Sequence, residues 1–515
     1  MMFSPLKVYE SPLLKYLVLI VLFYVFFLPG LGTSFISINE PDWIERSSRF
    51  IDSFLRGDFL GTYQKYHPGV TLMWVVGLCI KVFGRFQELV YGYRGDEFET
   101  SVFPQFAAFT RFVLGSLFLV LILLSIRKLR KAFSLDWAVF TVAAVLFTEP
   151  FVMGLVRSIG PDALLTAFIF AFLCFFCAYL KGNKKMDLVV SGIFLGLSVL
   201  TKITALVAFP AIVAGFIVYQ KKSLIKYSII IIAVASLIFF ALFPAIWINP
   251  VGILKDMLTL GAIDAPLYDY ASPIISDIFA RNLFVEKIFS YPFVFAFRAS
   301  PLLLIFFVLG IFAVLSKRSP GKLKIFGVIS LLFLICYYIP ISFAEKKIYK
   351  YTLPMFLPAA LVGYIGLDFV LKTYGSRNVL KFFITGVFLV QIIYNLSFVP
   401  NYLFYFNPLL GGIKTAKSFV EIDLETTGYN DVGKYLNNLG VGDKKIIATY
   451  PPRSLGPFVN CRVEDIRLYR GADFLLIPVG KMEEFKDKVT PCYILEKTFN
   501  FRNLDYLYLY MNKCI

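Results

Sequence analysis

Eleven apolar blocks, separated by short basic clusters, constrain this chain more than anything else in it. They occupy residues 13–31, 106–126, 136–153, 163–180, 188–201, 203–219, 227–248, 299–316, 325–341, 353–371 and 380–399. Many approach the ~20 residues needed to cross a bilayer. Over all 515 residues, 58% are hydrophobic and 17% charged, with a mean hydropathy of +0.74. A soluble protein of that size needs more polar surface. The expected fold is therefore a membrane all-α protein of about eleven transmembrane helices.

The formal net charge of +17 would suggest nucleic acid in a soluble chain. Here Lys and Arg gather between apolar blocks, at 127–131, 181–185, 221–226, 317–324 and 372–381. That pattern reads as membrane orientation, with these clusters in the cytoplasm and no nucleic-acid partner. The N-terminus, with Lys7 and Lys15, is then cytoplasmic, and the C-terminal part lies outside the plasma membrane. No cleaved leader is expected, because block 13–31 is long enough to span and lacks an A-x-A-like site. Residues 67–84 are apolar too, but counting them as a span would invert everything after them. They contain Lys81 and begin His67-Pro68-Gly69, so they are expected to lie along the outer interface. They belong to an external loop over 32–105, in which residues 40–56 read as a surface helix. The other external segments are 154–162, a turn at Lys202, 249–298, 342–352 and everything after 400.

The tail changes character after about 428. Residues 445–450 and 473–478 look like strands, and 431–439 and 481–488 look helical. A small extracytoplasmic α/β domain over 401–515 follows a membrane domain over 1–400. Seven cysteines suggest no disulfide framework, and with one His in the chain a zinc site is not expected.

The outer face carries charges that orientation alone disfavours. Glu40, Asp42, Glu45 and Arg46 follow the first block, and Arg111 opens the second. Arg157 and Asp162 flank a short loop, Lys202 sits between two spans, and Glu345, Lys346, Lys347 and Lys350 crowd another loop. Singly, each group reads as an ordinary solvated charge or surface ion pair. Together on one side, they suit a substrate with an anionic head and a lipid tail.

These residues carry a resemblance. Asn39-Glu40-Pro41-Asp42-Trp43, Tyr66-His67-Pro68-Gly69-Val70, Arg111 with Gly115, Arg157-Ser158-Ile159-Gly160-Pro161-Asp162 and Lys347-Ile348-Tyr349-Lys350-Tyr351-Thr352-Leu353-Pro354 occur in that order. They are similar to elements of the GT-C-fold glycosyltransferases that use polyprenyl-phosphate sugars, such as protein O-mannosyltransferases and lipid A aminoarabinose transferases. Gly196-Leu197 with Lys202, and residues 405–412, fit the bacterial branch of that family. One departure stands out: Asn39 occupies the position where the family usually carries Asp, its expected catalytic base. Asn cannot take up a proton usefully near neutral pH.

The resemblance implies transfer of a hexosyl or pentosyl group, with inversion, from a polyprenyl-phosphate-linked donor to a protein, lipid or glycan acceptor amid membrane lipids. An attacking hydroxyl needs a base. Glu40 is the first choice, Asp162 the second and Asp42 the third, because Asp42 is expected to face away from Glu40 on a helix. The departing phosphate needs fixed cations, here Arg111, Arg157, Lys347 and Lys350, with Asn39, His67, Lys202 and Tyr351 as further binding candidates. A divalent cation (Mg or Mn) between carboxylate and phosphate is compatible with this chemistry, but no ligand cluster supports one. A membrane transporter, or a GT-C-like scaffold silenced by Asn39, are the rival readings. A transporter would be expected to show paired repeats or mid-membrane breaks, whereas the charges here gather at one face.

Overall fold

A computed structural model describes residues 12–33, 37–66, 68–99, 101–133, 136–218, 224–267, 282–316, 321–344, 347–373, 377–422, 424, 426–469, 471–502 and 504–514. Every apolar block predicted to span is occupied by helix. In chain order the main helices are α1 (Pro12–Phe27), α2 (Glu40–Leu55), α3 (Val70–Tyr91), α4 (Phe103–Phe133), α5 (Asp136–Phe147), α6 (Pro150–Val156), α7 (Pro161–Gly182), α8 (Lys185–Thr201), α9 (Ala208–Val218) and α10 (Leu224–Leu242). They continue as α11 (Pro250–Leu267), α12 (Leu283–Arg298), α13 (Pro301–Leu315), α14 (Gly321–Phe343), α15 (Leu353–Thr373), α16 (Arg377–Leu396) and α17 (Tyr429–Asn438). Among the described residues, six helices are long and apolar enough to cross a membrane, and four shorter apolar ones accompany them. The chain is an integral membrane protein.

The block at 136–153 is two helices rather than one. Pro150 has no N–H to donate to the preceding turn, so the chain breaks at Thr148 and Glu149 and restarts. Buried Glu149 accepts a hydrogen bond from the Ser300 amide at 2.8 Å across that break. Helices α11 and α12, inside the segment read as external over 249–298, were not foreseen.

Helix α7 is buried on nearly all sides and forms the centre of the bundle. Small residues let its neighbours close in. A Cβ on Gly310 of α13 would lie 2.0 Å from the Val362 carbonyl oxygen of α15, and one on Gly366 2.4 Å from that of Phe306. Such close backbone approach is how helices associate in lipid, where apolar burial alone offers no drive.

Helix α3 is one of the six apolar helices of spanning length, yet its contacts put both ends at one level. At its start, the Gly69 amide donates to the Thr201 carbonyl at 3.1 Å, and the hydroxyls of Thr71 and Thr201 lie 2.6 Å apart. Thr201 ends α8, just before Lys202. Towards its other end, Phe83 meets Phe106 edge to face and stacks on Phe109, with centroids 5.7 and 6.0 Å away, in the first two turns of α4. The basic residues of α4 lie at its opposite end, where Lys128 pairs with Asp187. Helix α3 therefore runs along one face of the bundle, beside α2, to which Lys81 is tied through Asp52.

After residue 400 the chain builds a five-stranded mixed sheet of order β2-β1-β3-β5-β4, from β1 (Ile446–Thr449), β2 (Arg462–Asp465), β3 (Phe474–Pro478), β4 (Tyr493–Phe501) and β5 (Leu504–Asn512). The predicted strands at 445–450 and 473–478 are β1 and β3. The helix expected at 431–439 is α17, and 481–488 folds as short helical turns. Strands β1, β2 and β3 run parallel, and β4 and β5 close the sheet antiparallel. Contrary to the sequence expectation, Cys492 and Cys514 form a disulfide, with Cα atoms 5.4 Å apart. Strand pairing brings Tyr493 opposite Asn512, which aligns cysteines 22 residues apart that showed no spacing signal. The sheet layer packs on the helix ends: the ring of Phe398, just after α16, is 6.2 Å from that of Phe501 between centroids, Phe404 is 4.7 Å from Phe501 and 4.9 Å from Tyr506, and Phe103 of α4 is 5.5 Å from Phe458 in the turn after β1.

Candidate active site

The α/β layer sits over the helix ends and encloses a cavity of about 560 Å³. Its floor comes from α2, α7, the Thr201–Lys202 junction and the turn over Lys347–Tyr351; its roof comes from the turns after β1, β2 and β3. Eight basic and four acidic side chains line it.

Six of the candidate catalytic and binding residues meet there as floor charges or their aromatic partner. Asp162, in the first turn of α7, accepts from Lys202 at 2.9 Å. A carboxylate suits that helix end, where unpaired amides leave partial positive charge. The Lys202 ammonium also lies 4.1 Å from the Tyr351 ring centroid, so two partners fix it. Lys350 reaches Ser37 Oγ at 3.1 Å, and Lys347 pairs with Glu286 of α12 at 3.1 Å. Asp42 lies 3.4 Å from Arg46 and 3.5 Å from Arg453, with nearly half its side chain exposed. Asn39, a seventh, lines the cavity at the N-terminus of α2.

Glu40, the first-choice base, is elsewhere. Its carboxylate is fully buried, with Oε2 2.7 Å from Arg111 Nη2 and Oε1 accepting from the Ser37 amide at 3.0 Å. Arg111 also donates to the Leu31 carbonyl, and neither side chain lines the cavity. The helical twist explains this: Glu40 and Asp42 are two positions apart, so turning Glu40 to the core turns Asp42 to the cavity. Arg157, expected to hold phosphate, is also buried. It donates to the Pro400 carbonyl at 2.8 Å and to that of Pro29, with Tyr402 5.5 Å away beneath its guanidinium. It ties three segments together instead of facing the cavity. His67 lies outside the described residues.

The roof residues were missed. Tyr450, Arg453, Asp465, Arg467 and Lys481 all follow or end parallel strands. Ligands gather outside the carboxyl ends of parallel strands, but only three-dimensional docking brings those ends over the floor. Arg453 reaches back to α2, with Glu45 at 2.8 Å. Its hydrogen bond holds the Glu45 carboxyl below the usual carboxylate range. Among the described residues, no group of three or more His, Cys, Asp or Glu side chains is arranged to hold a metal ion.

Residues 100–248 match the family described as dolichyl-phosphate-mannose-protein mannosyltransferase. No curated protein matches the sequence. Among solved structures, the chain is similar to ArnT from Cupriavidus metallidurans bound to undecaprenyl phosphate, with a TM-score of 0.51, 13% identity and 97% of each chain covered. It is also matched to the oligosaccharyltransferase of Archaeoglobus fulgidus in the apo form, with a TM-score of 0.46, 12% identity, and 92% of this chain and 70% of that one covered. The chain thus shares its fold with ArnT, and residues 100–248 carry the match to the family model described as dolichyl-phosphate-mannose-protein mannosyltransferase.

Proposed function

We propose that this protein transfers a sugar, with inversion, from a polyprenyl-phosphate donor to an acceptor at the outer face of the membrane. The observation that carries the reading is one cavity in which Lys202, Lys347 and Lys350 face Asp42 and Asp162 at the helix ends. The undecaprenyl phosphate in the ArnT structure supports the same class of donor lipid here. The donor phosphate rests against the lysines. Asp42 takes the proton of the acceptor hydroxyl as its oxygen attacks the anomeric carbon from the side opposite the phosphate. The bond between that carbon and the phosphate oxygen breaks, and the charge that develops on the leaving phosphate is met by fixed ammonium groups. Asp162 positions Lys202. Asn39, the residue just before α2, and Asp42, three positions on, share a face, so Asp42 supplies the carboxylate that Asn39 lacks.

The reading includes about eleven crossings, a cytoplasmic N-terminus and a 401–515 domain outside the cell. The Cys492–Cys514 disulfide suits that oxidising side. Purified protein in liposomes, given radiolabelled polyprenyl-phosphate sugars and a panel of protein, lipid and glycan acceptors, tests the activity. Transfer that disappears in Asp42→Asn and Lys350→Ala is expected. No transfer with any donor, by protein that still binds polyprenyl phosphate, would establish a silent scaffold.

A further inference from the structure

The floor lysines meet the phosphate in the reading above, which leaves the roof unexplained. Three parallel strands end there side by side. After β1 come Tyr450 and Arg453, after β2 comes Arg467, and after β3 comes Lys481. This is the edge of a parallel sheet at which ligands usually bind. Arg467 is held in place: its Nε lies 3.0 Å from Asp465 Oδ1, and its guanidinium stands 4.3 Å from the Tyr450 ring centroid. Burial pushes the Asp465 carboxyl up, but the hydrogen bonds from Arg467 outweigh this and hold it below the usual range. Lys481 is likewise braced by Glu484 at 2.7 Å. Six aromatic side chains line the same cavity: Trp43, Tyr66, Tyr349, Tyr351, Tyr450 and Tyr506. Flat rings suit the apolar faces of sugar rings, and braced cations suit an anionic substituent.

We propose that the ends of β1, β2 and β3 form the acceptor subsite, and that the acceptor is an acidic saccharide whose anionic group meets Arg467 and Lys481. This deepens the transfer reading and rests on it, because a second substrate needs a place distinct from the lysine floor. The roof then selects the acceptor while the floor serves the donor. A guanidinium whose Nε and Nη2 both hold Asp465 keeps a fixed orientation, and its charge favours carboxylate or phosphate oxygens over neutral hydroxyls.

Binding without donor tests this directly. The full chain in nanodiscs is titrated with trigalacturonate, with maltotriose and with a triglutamate peptide, in wild type and in Arg467→Ala, Arg467→Lys and Lys481→Ala. Trigalacturonate is expected to bind at least ~10-fold more tightly than maltotriose, and to lose ~10-fold in either alanine variant, the scale of one charged hydrogen bond. Arg467→Lys, which keeps the charge, should fall between wild type and alanine, and a thermal melt on each variant reports folding. Equal binding of acidic and neutral trisaccharides, tighter binding of the peptide, or unchanged affinity in both alanine variants would overturn the subsite. Donor turnover is measured separately. Acidic preference without turnover overturns the transfer reading alone, and turnover without acidic preference overturns the subsite alone.

Discussion

Glu40 and Arg111 face each other at 2.7 Å with both side chains shut away from solvent. Such a pair is costly to break, because the survivor is left charged in a poor solvent. Glu40→Gln and Arg111→Leu should each destabilise the protein by about 3–5 kcal/mol. A melting curve in detergent checks this. A Glu40→Gln protein that melts like wild type yet transfers nothing would restore Glu40 as the base.

Asp42→Asn should behave in the opposite way. Transfer should fall ~10²–10⁴-fold, the usual worth of a general base, while the melting curve stays put. Asn39→Asp in that background places a carboxylate three residues away on the same face, and should recover part of the rate. Full activity in Asp42→Asn would move the base to Asp162.

Lys202→Ala and Lys350→Ala should each lower kcat at least ~10-fold, as expected when a charge facing the developing phosphate is removed. Arg157→Ala should instead lower stability, because Arg157 holds the Pro29 and Pro400 carbonyls. Measuring rate and melting temperature on the same preparations separates the two effects. A normal rate in both lysine variants would remove the floor from the donor site.

The contact between α2 and the roof should respond to acid. Glu45 is held below the usual carboxylate range by Arg453, so the contact favours the docked state above the ordinary carboxylate pKa. Its contribution is lost as pH falls through the depressed value of the folded protein. Hydrogen exchange of α2 and of the turn after β1 should rise together in that acidic window. Arg453→Ala should already show the raised exchange at neutral pH. An identical acid response in wild type and Arg453→Ala would show that other groups govern docking.

Orientation can be checked with single cysteines at Arg94 and Gly182 and an impermeant reagent on intact cells. Arg94→Cys should label and Gly182→Cys should not, which follows from the proposed orientation, with α3 at the outer face and the basic clusters in the cytoplasm. The reverse pattern would invert the chain.

Much of the bundle was readable because lipid demands long apolar runs, and charge clusters mark their ends. The strands at 446–449 and 474–478 were readable from local composition, whereas Arg462–Asp465 is too short and polar to show itself. Site residues were legible as a set but not in their roles. Glu40 and Asp42 differ only by 200° of helical rotation, and nothing in the adjacent residues says which of the two faces inward. Arg467 and Lys481 gave no signal, because their meaning comes from docking onto floor residues more than 100, and in α2 more than 400, positions earlier.

The cavity walls come from residues 37–66 at one extreme and residues as late as Tyr506 and Leu507 at the other. Most of the polypeptide must be synthesised, inserted and translocated before that enclosure exists. Until then the helix ends form an open basin, without the roof that the turns after β1, β2 and β3 supply. The enclosure is complete only when β5 lies between β3 and β4 and brings Tyr506 and Leu507 over the basin. A chain cut short before β5 would therefore lack the closed cavity that the proposed transfer needs.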